Sequence, residues 1–167
     1  SDRIQGAMRI ARPWSLELEY TREMMMALLL RTARGWPASV LQVGLGSASV
    51  TKFLYRHRPK ARITVVEIAP EVVAAARQFF KLPDECVRLR VQIGDGHDYM
   101  AATHRRFDFI LVDGFDDEGR AGLLDTVPFY LNCRARLTGP GMVAVNLLGG
   151  QRVAMASAER IRQAFDD

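Results

Sequence analysis

Apolar and polar positions along this chain fall into an alternation of short apolar runs and amphipathic stretches. Val40–Val43, Ile63–Val66, Ile110–Val112 and Met142–Val145 are continuous apolar or nearly apolar runs. Such runs mark central strands covered on both faces. Strands are expected near 40–43, 62–67, 88–93, 107–113 and 140–147. Helices are expected near 47–57, 70–80, 96–103, 120–136 and 151–165. Pro70 suits a first helical turn, and Val72, Val73, Ala76, Phe79 and Phe80 supply that helix with an apolar face. Gly139-Pro-Gly141 is expected to turn the chain after the helix containing Phe129, Tyr130 and Leu137. Ahead of this alternation, Leu16-Glu-Leu-Glu-Tyr20 reads as a strand with one wet face. Thr21 then caps a helix over about 22–34, ended by Gly35-Trp-Pro37. Trp14 and Trp36 are expected to be packing anchors.

Strands alternating with helices specify an α/β fold: a Rossmann-like, doubly wound parallel sheet with right-handed crossovers and helices on both faces. The expected strand order is 3-2-1-4-5, with ligands beyond the carboxyl ends at the switch point between the first and fourth strands. The division of the chain is a segment over 1–36 and a nucleoside-binding unit over 37–167.

The chemistry gathers at those strand ends. Val43-Gly-Leu-Gly-Ser47 is a strand running into a glycine turn and a helix, the layout that cradles a nucleotide. Ser49 stands where the strict dinucleotide fingerprint has its third glycine. Glu67 ends the second strand, 21 residues after Gly46, the spacing of an acid that binds ribose hydroxyls. Asp95 ends the third strand between Gly94 and Gly96, as close approach to a flat base requires; a turn or helix cap is the competing reading. Asp113 ends the fourth strand, and its competing reading is a cap for the next helix.

Composition narrows the partners. The 167 residues fit one domain. No apolar run approaches the ~18 residues of a membrane span. Ser1 and the absence of an initiator Met point to a trimmed chain, and no signal-peptide pattern is visible. The net charge is +4, but its arginines are scattered with no basic stripe or nucleic-acid motif, so neither nucleic acid nor membrane is an expected partner. Cys86 and Cys133 are isolated, without pairing or metal spacing, and His57, His97 and His104 form no ligand pattern with them. Free thiols in a reducing cytoplasm, and no metal, are expected.

Five words in order carry a resemblance: Val43-Gly-Leu-Gly46, Val65-Val-Glu-Ile68, Ile93-Gly-Asp-Gly96, Phe107-Asp-Phe-Ile-Leu-Val-Asp113 and Pro128-Phe-Tyr130. Over about 40–148 the chain resembles the spermidine synthase (polyamine aminopropyltransferase) family, a branch of the class I S-adenosylmethionine-dependent methyltransferase fold. The resemblance implies that Gly44 and Gly46 shape the turn under the donor's aminopropyl or amino-acid arm. It implies that Glu67 binds the ribose, Asp95 meets the adenine amino group and Ile68 packs on the base. Asp113 is then the acid that accepts a proton from the attacking amine, with Asp116 as a second acid in Asp113-Gly-Phe-Asp116.

That implies an aminopropyl transfer from decarboxylated S-adenosylmethionine to a small amine. Asp113, Asp116, Asp117 and Glu118 form an acidic cluster that draws a cation. The chain departs from the family at Ser47, where the glycine loop has an acid, and at Ala69, where an acid often follows the ribose-binding Glu. Glu19-Tyr-Thr-Arg-Glu-Met24 resembles the family's Tyr-x-Glu-Met stretch with Tyr20 one position out of register. Two final strands usual in the fold are expected beyond Asp167. Ser47 leaves room for an intact S-adenosylmethionine, so a methyltransferase acting on a small acceptor is the alternative. A nucleoside-binding domain without turnover is a third reading. A nicotinamide enzyme is disfavoured by Ser49 and the Gly-Asp-Gly word. Self-association, as a homodimer or tetramer, is implied by the resemblance alone.

Overall fold

A computed structural model describes residues 7–31, 33–114, 122–146 and 151–166. Five parallel strands, β1 (Ser39–Val43), β2 (Arg62–Glu67), β3 (Leu89–Ile93), β4 (Phe107–Val112) and β5 (Leu137–Val145), form one sheet in the order β3-β2-β1-β4-β5. This is the expected order. Around the sheet lie α1 (Glu19–Met25), α2 (Ala27–Leu30), α3 (Ser49–His57), α4 (Pro70–Phe79), α5 (Gly96–Ala102), α6 (Val127–Ala135) and α7 (Gln151–Phe165).

The sheet separates two apolar layers. Val40, Ile63, Val65, Leu89, Phe109 and Leu111 pack with Leu54, Val73 and Ala76 on one face. Leu41, Val66, Ile110 and Val112 pack with Met100, Phe129, Tyr130 and Ala164 on the other. Burial on both faces explains the continuous apolar strands. Each fully buried Val, Leu, Ile or Phe contributes roughly 1.5–3 kcal/mol. Trp36 is buried and packs its ring 5.3 Å from that of Phe109, which makes it the expected anchor. Phe79 is exposed, so the inner face of α4 is narrower than expected and rests on Val73 and Ala76.

Two local readings are corrected. Leu16–Tyr20 is not a strand: Tyr20 lies in α1, and Thr21 Oγ1 donates to the Leu18 carbonyl at 2.6 Å from inside the helix. Burial of Met24, Met25, Ala27 and Leu28 against the sheet holds that segment helical. Packing of distant residues overrides a five-residue alternation. Gly139-Pro-Gly141 and Leu137 belong to β5, not to a turn after a helix. Phe107 pairs with Leu137 but Phe109 pairs with Met142, so the glycines and proline are taken up in an irregularity of the register. The helix expected over 120–136 is a 3₁₀ turn at Gly122–Asp125 followed by α6.

Candidate functional site

The carboxyl ends of the strands are stitched into one rim. Past the strand ends, Gly44 N donates to Val66 O (2.9 Å), Gly94 N to Glu67 O (2.9 Å), Asp113 N to Val43 O (2.8 Å) and Asn146 N to Val112 O (2.9 Å). Two glycines allow this closeness. Gly44 sits at φ 88°, and a Cβ there would lie 2.2 Å from the Asp113 carbonyl oxygen. A Cβ on Gly96 would lie 2.4 Å from Val43 Cγ1. The glycine turn therefore fits against β4 and α5 only without side chains.

The turn is held from beneath. Gln42, buried in β1, donates from Nε2 to Gly44 O (2.9 Å) and accepts from Thr51 Oγ1 (2.7 Å). Ala48 precedes α3 in the left-handed region at φ 58°, fully buried. Ser47, also buried, shares a hydrogen bond with Ser49 at 2.8 Å, and Ser49 lies 3.2 Å from the Ala7 carbonyl. The helix expected from residue 47 thus begins at Ser49.

Glu67 is buried where β2 ends. Its Oε2 accepts from Leu45 N at 2.7 Å and its Oε1 from Ala69 N at 3.0 Å. A carboxylate has about four acceptor positions, so among the described residues two remain open. Ile68 beside it is 65% exposed, an apolar surface at the rim. Asp95 caps α5: its Oδ1 accepts from His97 N (2.7 Å) and Asp98 N (3.3 Å). The capping reading therefore holds for Asp95, with both bonds on one oxygen. Asp95, His97 and Asp98 bring ligand atoms within 4.8 Å of one another, but this is the cap of an exposed helix start.

Asp113 is the most perturbed carboxyl of the rim. Asn146 Nδ2 donates to its Oδ1 at 2.8 Å, and the Tyr20 hydroxyl donates to it from α1. Burial pushes its pKa from 3.8 to about 6; the Asn146 donor opposes the rise, the negative charge of Glu67 adds to it and the Tyr20 donor opposes it. Tyr20 itself is pushed up to about 12 by burial and then by Asp113, which keeps its hydroxyl a donor. Such a carboxylate titrates close to neutrality while held in one orientation.

The rim thus brings together Gly44, Gly46, Ser47, Glu67, Ile68, Asp95, Gly96 and Asp113. Asp116, with Asp117 and Glu118, lies outside the described residues. Asn146 escaped the sequence reading, and Tyr20 entered it only through a resemblance one position out of register, with no role assigned. The contact of Tyr20 was hidden by its place in a supposed strand. Asn146 carried a signal, a polar residue ending the apolar run of β5 on the same rim. The two cysteines are free, Cys86 exposed and Cys133 buried. Among the described residues no helix is long and apolar enough to cross a membrane.

Known proteins share this architecture. A probable spermidine synthase from Corynebacterium glutamicum superposes with a TM-score of 0.80 at 22% identity, over 93% of this chain and 57% of that one. Human methyltransferase-like protein 13, solved in complex with SAH, superposes with a TM-score of 0.78 at 26% identity, over 87% of this chain and 72% of that one. The polyamine aminopropyltransferase of Neisseria meningitidis is 35% identical over 166 residues, 99% of this chain. That of Chromobacterium violaceum is likewise 35% identical over 166 residues. The chain spans 62% of the length of both relatives. Residues 18–163 match the spermine/spermidine synthase domain, and with the five-stranded order and the glycine rim in place, the chain belongs to the spermine/spermidine synthase family.

Proposed function

We propose that this chain carries the catalytic rim of an aminopropyltransferase, moving an aminopropyl group from decarboxylated S-adenosylmethionine to a small amine. The carrying observation is Asp113, oriented by Tyr20 and Asn146 beside the buried Glu67. Residues 37–167 form the nucleoside-binding unit in this reading, and the segment before them delivers Tyr20.

The residues fit such a donor. Gly44 and Gly46 shape the turn under the nucleoside, and the bare Cα atoms of Gly44 and Gly96 let that turn, β4 and α5 close together beneath it. The remaining acceptor positions of Glu67 take the two ribose hydroxyls. Asp95 takes the adenine amino group on the oxygen that does not cap α5, and Ile68 covers the base. A sulfonium makes its neighbouring methylene electrophilic. The amine lone pair forms the new C–N bond as the C–S bond breaks, its electron pair leaving on sulfur as the neutral thioether methylthioadenosine. The surplus proton on nitrogen goes to Asp113. With a pKa of about 6, Asp113 is mostly ionised at neutral pH, yet binds a proton more readily than an ordinary carboxylate. Its charge also holds the cationic acceptor. Asp116 is proposed as a second acid on the acceptor side.

The reading is tested with purified protein, decarboxylated S-adenosylmethionine and putrescine. Methylthioadenosine release supports it; none, beside an active control enzyme, defeats it. One observation favours methyl transfer as a second reading: the rim has the hydroxyl of Ser47 where the family has a carboxylate facing the donor's amine. Calorimetry separates the two. Tighter binding of S-adenosylmethionine than of its decarboxylated form selects the methyltransferase.

A further inference from the structure

Away from this rim, a cavity of about 310 Å³ opens beside the carboxyl ends of α3 and α4, toward the amino-terminal ends of the strands. Its walls include Lys52, Arg56, Lys81 and Arg88, with the rings of Trp14 and Tyr55, and among the described residues no acidic one lines it. Arg56 stacks on Trp14, its Cζ 3.9 Å from the ring centroid, and Arg88 on Tyr55 at 3.7 Å. The two guanidinium planes are thereby fixed in orientation.

Among the described residues no carboxylate pairs with these four cations, and Lys81 Nζ donates only to the Ile10 carbonyl, at 3.3 Å. Lys52 is only 4% exposed, and its ammonium is seen to make one hydrogen bond, to Phe80 O at 2.7 Å. An ammonium carries three donors. Burial and then the neighbouring charge of Lys81 lower the Lys52 pKa from 10.5 to about 8, as expected of a cation without a compensating anion. Arg88 donates from Nη2 to the Tyr55 carbonyl at 3.1 Å, but its buried Nη1 has no partner. Two acids follow the lining Pro83: Glu85 is engaged with Arg77 Nη2 at 2.9 Å and Val91 N at 2.9 Å, and Asp84 is exposed and makes no ion pair with these cations. A buried ammonium and an unpartnered guanidinium N–H beside two further cations are costly unless an anion joins them.

We propose that this cavity is a binding site for a compact, multiply charged oxyanion, a phosphate ester or polycarboxylate. Lys52 and Arg88 grip it at the base, and Arg56 and Lys81 close over it at the mouth. The volume suits a small metabolite and lies at the low end for ligand sites. The site is separate from the nucleoside rim and does not depend on the donor assigned there.

Calorimetry at low salt with pyrophosphate, and in a second arm with citrate, tests this. One-to-one saturable binding is expected, with the tighter probe naming the source of the oxyanion. The Arg56→Ala/Lys81→Ala double variant changes exposed side chains and should keep its fold; it should weaken binding about tenfold or more. Lys52→Gln, checked for folding by its thermal transition, should weaken it as much. Asp113→Asn should leave it unchanged. Absence of saturation with both probes, or equal affinity in the wild type and the double variant, would overturn the assignment.

Discussion

Tyr20 in the first helix donates a hydrogen bond to Asp113 at the end of β4. A segment outside the alternating strands and helices thus reaches the rim's most perturbed acid and opposes the rise that burial causes in its pKa. Tyr20→Phe removes a donor that lowers the Asp113 pKa, so that pKa must rise. The acid limb of the pH–rate profile, expected near pH 6 in the wild type, should move to higher pH. The cost in folding stability should be about 1 kcal/mol. A limb that stays in place while kcat falls would make Tyr20 a mere packing residue.

Asp113→Asn should reduce turnover about 10²–10⁴-fold, the usual contribution of a positioned base, while methylthioadenosine still raises Tm. Loss of the ligand-induced shift along with activity would place Asp113 in donor binding instead.

The same residue makes stability depend on pH with a definite sign. Its folded pKa of about 6 exceeds the reference 3.8, so between these values the folded state binds the proton more tightly. The stability it contributes is complete below about pH 4 and is lost as pH rises toward 6. Asp113→Asn lacks this loss. The Tm difference, variant minus wild type, should therefore grow across that window and level off above it. A constant difference from pH 4 to 7 would contradict the burial of this charge.

Gly44 and Ala48 bracket the turn and should respond in opposite directions. Gly44→Ala places a Cβ 2.2 Å from the Asp113 carbonyl at φ 88°, and should cost on the order of 3 kcal/mol or more. Ala48 occupies φ 58° with a Cβ already present, so Ala48→Gly should stabilise by about 1 kcal/mol. Urea melts of the two variants check both signs.

Asp125 ties the far side of the sheet together. It accepts from Tyr130 Oη (2.8 Å), Ser157 Oγ (2.7 Å) and Arg160 Nη1 (2.7 Å), linking α6 to α7. Asp125→Ala leaves these donors unpaired and should cost about 2–4 kcal/mol. Amide exchange in α7 should accelerate more than in β1. Uniform acceleration would mean that α7 does not open separately.

What the sequence determined by itself is local in origin. Apolar runs of four or five residues specify strands buried on both faces, and the amphipathic stretches between them specify crossover helices. Their alternation leaves little choice of topology, so the order 3-2-1-4-5 and the rim carrying Gly44, Glu67, Asp95 and Asp113 were legible. Bounds of α4 and α7 were legible too, because Pro70 and a periodic apolar face act within a turn or two. The tertiary structure decided what depends on residues far apart in the chain. Leu16–Tyr20 alternates like a strand, yet the contacts of Met24, Met25 and Leu28 carry its end into a helix. That helix brings Tyr20 to Asp113, as β5 brings Asn146, and neither approach is encoded within a few residues of the acid. Lys52 and Arg88 each look like ordinary surface charge in the sequence. Only the packing of α3 against the end of α4 and the start of β3 buries one ammonium and strands one guanidinium N–H, because desolvation is a property of the assembled neighbours.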